Sequence, residues 1–142
     1  MSKYLNSKVE KIFNKYQPKN VYDLIKEANC KLLYADLDDE TGGCTQTNSR
    51  CHTIIINKNW SECEKKFVIL HEFSHINLHP GVSTPFYRSI GLDRYISRIE
   101  FEANYLAMQI LLRMQDQEII SRLSKYEILD YLGLPYELER YI

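Results

Sequence analysis

Three residues in the middle of the chain have the types and spacing to do chemistry: His71, Glu72 and His75, within the run Phe67-Val68-Ile69-Leu70-His71-Glu72-Phe73-Ser74-His75-Ile76-Asn77-Leu78-His79. On an α-helix each residue turns about 100°, so His71 and His75 lie one turn apart on one face. Two imidazoles stacked this way can hold one Zn²⁺, with Glu72 beside it as a base for an attacking water. The same residues would also suit a solvated helix face. Their apolar neighbours argue against that, because a buried helix is where a glutamate and two histidines most need a reason to exist.

The helix that must carry them has its own signals. Ser61-Glu62-Cys63-Glu64 reads as a capping box, with Ser61 at the N-cap and Glu64 reaching back. Neither Gly nor Pro follows until Pro80-Gly81, which stops the helix.

Two histidines leave a catalytic zinc one protein ligand short. A third histidine ten residues after the first would make a metzincin, but Gly81 stands there. His79 lies one turn beyond His75 and could reach the same ion only with strain, so capping or support at the helix end is its expected role. The acidic candidates are Glu100 and Glu102 on the next clear helix, Ile99 to Arg113. Its apolar stripe of Ile99, Ala103, Leu106 and Ile110 leaves both within geometric reach. Glu102, with Leu106 one turn on, reads as the better buried; Glu100 meets Asn104. From that helix alone, the favoured reading of both is solvated first-turn charges that suit the helix dipole.

The surrounding elements read as an α+β domain with a three-stranded sheet on the histidine helix. Helices are expected at about 3–16 and 21–29, strands at 31–37, 45–47 and 51–57, and one or two short helices over 117–142, broken at Gly133-Leu134-Pro135. Gly42-Gly43 reads as part of a turn, since no phosphate-loop frame surrounds it. The irregular stretch from Pro80 to Arg98 could form a lid or a plain connection. Tyr126, Tyr131, Tyr136 and Tyr141 fall five apart, matching neither helix nor strand, and read as packing residues.

At 142 residues one domain spanning 1–142 is expected. A net charge of −1 provides no electrostatic footprint for nucleic acid or an anionic membrane. The N-terminus lacks the apolar core of a signal peptide, and nothing approaches the roughly 18 apolar residues of a membrane span. A cytoplasmic location is the expectation. Cys30, Cys44, Cys51 and Cys63 contain no C-x-x-C pair and read as free thiols, with a Cys44–Cys51 hairpin pairing as a weak alternative.

Three pieces in order carry a resemblance: the buried strand ending Ile56-Asn57 before a capped helix, the His-Glu-x-x-His-x-x-Leu-His run ending at His79, and Glu100-x-Glu102-Ala103-Asn104-x-x-Ala107. Together they resemble the ImmA/IrrE metallo-endopeptidases over roughly residues 20 to 115, and the His79-Pro80-Gly81 link with Thr84-Pro85-Phe86 resembles phage-borne members. The chain departs at Ser74, where a small residue is usual, and at Arg113-Met114, where a proline commonly follows the Leu-Leu pair. The resemblance implies a zincin-like fold, zinc held by His71, His75 and Glu102, and Glu72 as the catalytic base. It also implies one scissile bond in a helix-turn-helix repressor of a prophage or mobile element. Tyr87, Tyr95, Tyr105 and His79 are candidate donors to the oxyanion. The rivals are a non-catalytic antirepressor that sequesters its target, which would not need Glu72, and a zinc-dependent DNA-binding regulator, disfavoured by the charge.

Overall fold

A computed structural model describes residues 2–81, 85–88 and 96–142. Helix α1 spans Ser2–Tyr16 and α2 Val21–Glu27, the latter opened by Asn20, whose side chain accepts from the Asp23 amide. Strands β1 (Lys31–Ala35), β2 (Thr41–Asn48) and β3 (Cys51–Asn57) follow, then α3 (Glu62–Leu78) and a two-residue β4 (Phe86–Tyr87). The C-terminal part holds α4 (Arg98–Arg113), α5 (Gln117–Ser121), α6 (Lys125–Leu132) and a 3₁₀ turn at Tyr136–Tyr141.

The class is α+β, but the sheet has four strands, in the order β1-β3-β2-β4. β1 runs parallel to β3, while β2 is antiparallel to both β3 and β4. The fourth strand is too short for alternation to reveal it. β2 is also longer than expected, because it incorporates Gly42-Gly43, read from sequence as a turn. Their lack of a side chain serves packing: a Cβ on Gly43 would lie 2.5 Å from the Ile55 carbonyl, and one on Gly42 2.7 Å from the Trp60 ring. The backbone therefore passes closer to its neighbours than any other residue allows. Buried Asn57 ties the ends together, donating to the carbonyls of Asp38 at 2.8 Å and Thr41 at 2.9 Å while accepting from the Asn59 amide.

α3 is the centre of the molecule. Its residues from Phe67 to His75 are all buried, between β2 and β3 on one side and α4 on the other. An apolar core of Ile54, Ile56, Val68, Ile69, Leu70, Leu106 and Ile110 fixes the helix in place. Ser61 caps α3 by accepting from the Glu64 amide, but the Glu64 carboxylate meets the Ser61 hydroxyl and Arg88 rather than the Ser61 amide. The Cys44–Cys51 pairing does not form. Register sets Cys44 against Ile55 and Cys51 against Asn48, and all four thiols are free.

Candidate metal centre

Burying α3 on both flanks turns His71 (fully enclosed) and His75 toward α4, where they meet Glu100. His71 Nε2 lies 3.1 Å from Glu100 Oε2 and His75 Nε2 lies 3.0 Å from Glu100 Oε1. The two Nε2 atoms are 3.1 Å apart. Tetrahedral zinc with bonds of about 2.0–2.1 Å sets its ligand atoms about 3.3 Å apart, close to these edges. The far nitrogens are both occupied: His71 Nδ1 lies 2.7 Å from Asn104 Oδ1 and His75 Nδ1 3.0 Å from His79 Nδ1. Asn104 Nδ2 donates to the Tyr141 hydroxyl at 3.2 Å, which leaves its oxygen to accept from His71. His71 thereby carries its proton on Nδ1 and offers a bare Nε2 to the centre. Apart from its 3.0 Å approach to His75 Nε2, Glu100 Oε1 is buried with no hydrogen-bond partner among the described residues. Two imidazole nitrogens and a carboxylate set this close together fit a divalent cation.

Glu100 thus occupies the place that the sequence reading gave to Glu102. The Glu102 carboxylate instead meets His79 Nε2 at 3.0 Å and Arg98 Nε at 3.5 Å. The cause lies in which face of α4 meets the histidines. Glu100 and Asn104 are one turn apart on that face and both serve His71, whereas Glu102 is turned about 200° from Glu100. Ranking the two glutamates by apolar neighbours selected the other face, because opposite two buried histidines the face of α4 is polar. Asn104, one turn from Glu100, was the available signal. Ser97 begins α4 by accepting from the Glu100 amide at 3.4 Å, which sets the first turn.

Burial tends to raise the Glu100 pKa, but its close approach to His71 and His75 more than offsets this and holds the group well below the usual carboxylate range. Glu72 shows the opposite balance. Burial dominates and raises its pKa, although His71, His75 and a hydrogen bond from Thr45 all pull it down. Thr45 Oγ1 donates to Glu72 Oε2 at 2.9 Å, while Oε1 is buried with no hydrogen-bond partner among the described residues. Thr45 went unread in the sequence; it is the inward residue of β2 opposite Ile54. Phe86 on β4 packs edge-on against His71, ring centres 4.7 Å apart.

Of the candidate oxyanion donors, Tyr105 donates to Asn6 and His79 is engaged with His75 and Glu102. Tyr87 is half-buried on β4, beside Phe86. Tyr95 and most of the expected lid, residues 82–84 and 89–95, lie outside the described residues. Tyr126, Tyr131 and Tyr136 are exposed, whereas Tyr141 is buried against Asn104.

A buried His-Glu-x-x-His helix with a carboxylate from the following helix defines the class of glutamate-completed metallopeptidase-like domains. The chain belongs to the ImmA/IrrE family: the family model described as IrrE N-terminal-like domain, an M78 peptidase family, matches residues 25–141. It is 32% identical over 111 residues to an uncharacterized immunity region protein 2 of Bacillus phage phi105, covering 76% of this chain and 68% of that protein. It is 24% identical over 139 residues to the metallopeptidase ImmA of Bacillus subtilis (strain 168), covering 94% of this chain and 80% of that protein. No solved structure matches it. Among the described residues, no helix is long and apolar enough to cross a membrane.

Proposed function

We propose that the protein is a zinc-dependent endopeptidase that hydrolyses one specific peptide bond in a helix-turn-helix repressor of a prophage or mobile element. The observation that carries this reading is Glu72: a buried carboxylate with a raised pKa and one unengaged oxygen, electrostatically coupled to His71, His75 and Glu100. Pure binding has no use for such a group. His71, His75 and Glu100 would hold the ion. Zinc, when bound there, acidifies water and polarises a carbonyl.

Glu72 supplies the proton traffic. Thr45 fixes Oε2, so Oε1 is the atom free to take a proton from water and return it to the leaving amine. Among the described residues, the outer edge of β2 has a strand partner only at Thr41 and Gly43. An extended peptide added along that edge would run past Thr45 and so beside Glu72. The near-neutral charge suits a protein partner rather than DNA. The support from relatives is that one is a metallopeptidase by name and another belongs to a phage immunity region.

The test is incubation of the zinc-loaded protein with the helix-turn-helix regulators encoded beside its gene, followed by intact-mass analysis. The reading requires one cut by the wild type and none by Glu72→Gln with its metal retained. Equal cutting by both would remove Glu72 from the chemistry.

A further inference from the structure

We propose that His79 and Glu102 form a positioning relay that fixes the tautomer and ring angle of His75. The inference rests on the reading of His75 as a metal ligand and adds two residues to it. Glu102 Oε1 stands 3.0 Å from His79 Nε2. A carboxylate accepts only, so His79 Nε2 carries the proton and donates it. His79 Nδ1 lies 3.0 Å from His75 Nδ1. One of those two nitrogens holds the proton between them, and the relay assigns it to His75, because a histidine that offers Nε2 to a cation keeps its proton on Nδ1. His75 Nε2 is left bare, facing His71 Nε2 and Glu100.

The arrangement is built into the fold and not an accident of surface contact. His79 is the C-cap of α3, its amide donating to the His75 carbonyl at 2.8 Å, so the two rings are set one turn apart by the end of the helix itself. The His75 and His79 rings lie 5.1 Å apart and tilted by 54°. The His79 and Glu102 side chains are 9% and 12% exposed, so little water competes for the hydrogen bonds. Arg98, one turn before Glu102 on α4, stands 3.5 Å from its other oxygen and closes the chain at the surface. Each metal-facing histidine thus has its far nitrogen held from α4, His71 directly by Asn104 and His75 through His79 by Glu102. Glu102 therefore keeps a role at the site without touching its centre.

Two measurements test the relay. The first is the protonation pattern of the ring nitrogens in ¹⁵N-histidine-labelled protein, read by long-range ¹H–¹⁵N correlation in the metal-free and zinc-loaded states. The relay requires a proton on His75 Nδ1 and none on His79 Nδ1 in both states; a proton on His79 Nδ1 overturns it. The metal-free spectrum keeps this result independent of whether zinc is the ligand. The second is zinc affinity by chelator competition, with the cobalt-substituted absorption spectrum as a check on geometry. His79→Phe removes the acceptor and should weaken zinc by about 10–100-fold and alter the cobalt spectrum. His79→Asn, whose Oδ1 can replace Nδ1 as acceptor, should stay within a few-fold of wild type. Equal affinities and spectra for His79→Phe and wild type would overturn the relay. Failure of the wild type to bind any divalent ion would instead strike at the metal centre itself, leaving the tautomer measurement to decide the relay.

Discussion

Replacing Glu72 with Gln in the metal-free protein should make it more stable at neutral pH, although it removes the central residue of the proposed chemistry. The side chain is 1% exposed, one oxygen accepts from Thr45, and the other has no hydrogen bond among the described residues. A buried polar atom without a partner costs about 1–3 kcal/mol, and a charged one sits at the upper end. Gln retains the shape and the acceptor for Thr45 but gives back part of the gain by burying an amide N–H. A net stabilisation of about 1–2 kcal/mol at pH 7 follows. The sign of the pH dependence is fixed by the direction of the shift. Burial raises the Glu72 pKa above its ordinary 4.5, so the folded protein binds this proton more tightly than the unfolded chain. The wild type therefore loses stability relative to Glu72→Gln as pH rises from 4.5 through the folded-state value, and the gap closes as pH falls back toward 4.5. Glu100, whose lowered pKa keeps it ionised in the folded state through this window, adds no titration of its own to the difference, and its charge is among the causes that raise the Glu72 pKa. Urea unfolding of both proteins in chelator at pH 7 and pH 5 measures it. A Glu72→Gln variant less stable than wild type at pH 7, or an unchanged gap at pH 5, would refute the picture of a strained, desolvated base.

Other outcomes follow from the same geometry. Asn104→Leu strips the acceptor from His71 Nδ1 and should weaken zinc by about 10–100-fold in a competition assay, with Asn104→Asp much closer to wild type. Gly43→Ala drives a Cβ to 2.5 Å from the Ile55 carbonyl and 3.0 Å from Val68; calorimetry should show a loss of about 1–3 kcal/mol. Free zinc at a hundred times its Kd should add about 2.7 kcal/mol to unfolding, and chelation should remove it.

Much of this was legible in the chain because it depended on local rules. The capping serine at 61, the Pro80-Gly81 stop and the uniformly apolar run around His71 were enough to place α3 and its two histidines. The β2–β3 hairpin turns at Ser49, in the left-handed region at φ 59°, within the polar triplet Asn48-Ser49-Arg50. What could not be read depended on three dimensions. Gly42-Gly43 looked like a turn because their need for close approach to Trp60 and Ile55 has no signature along the chain. Glu102 looked better buried than Glu100 because apolar spacing reports on the core-facing stripe, while the carboxylate that meets two histidines lies on a polar stripe shared with Asn104. Thr45 was one polar residue in a polar strand until the register set it against Ile54, over Glu72.

The central claim is that two imidazoles of α3 and the carboxylate of Glu100 hold one divalent cation. Zinc titration by chelator competition, run in parallel on wild type, Glu100→Gln and Glu102→Gln, tests it most directly. The expected result is one zinc per wild-type chain, a severe loss of affinity in Glu100→Gln and a much smaller one in Glu102→Gln. Full affinity in Glu100→Gln with binding abolished in Glu102→Gln would contradict it.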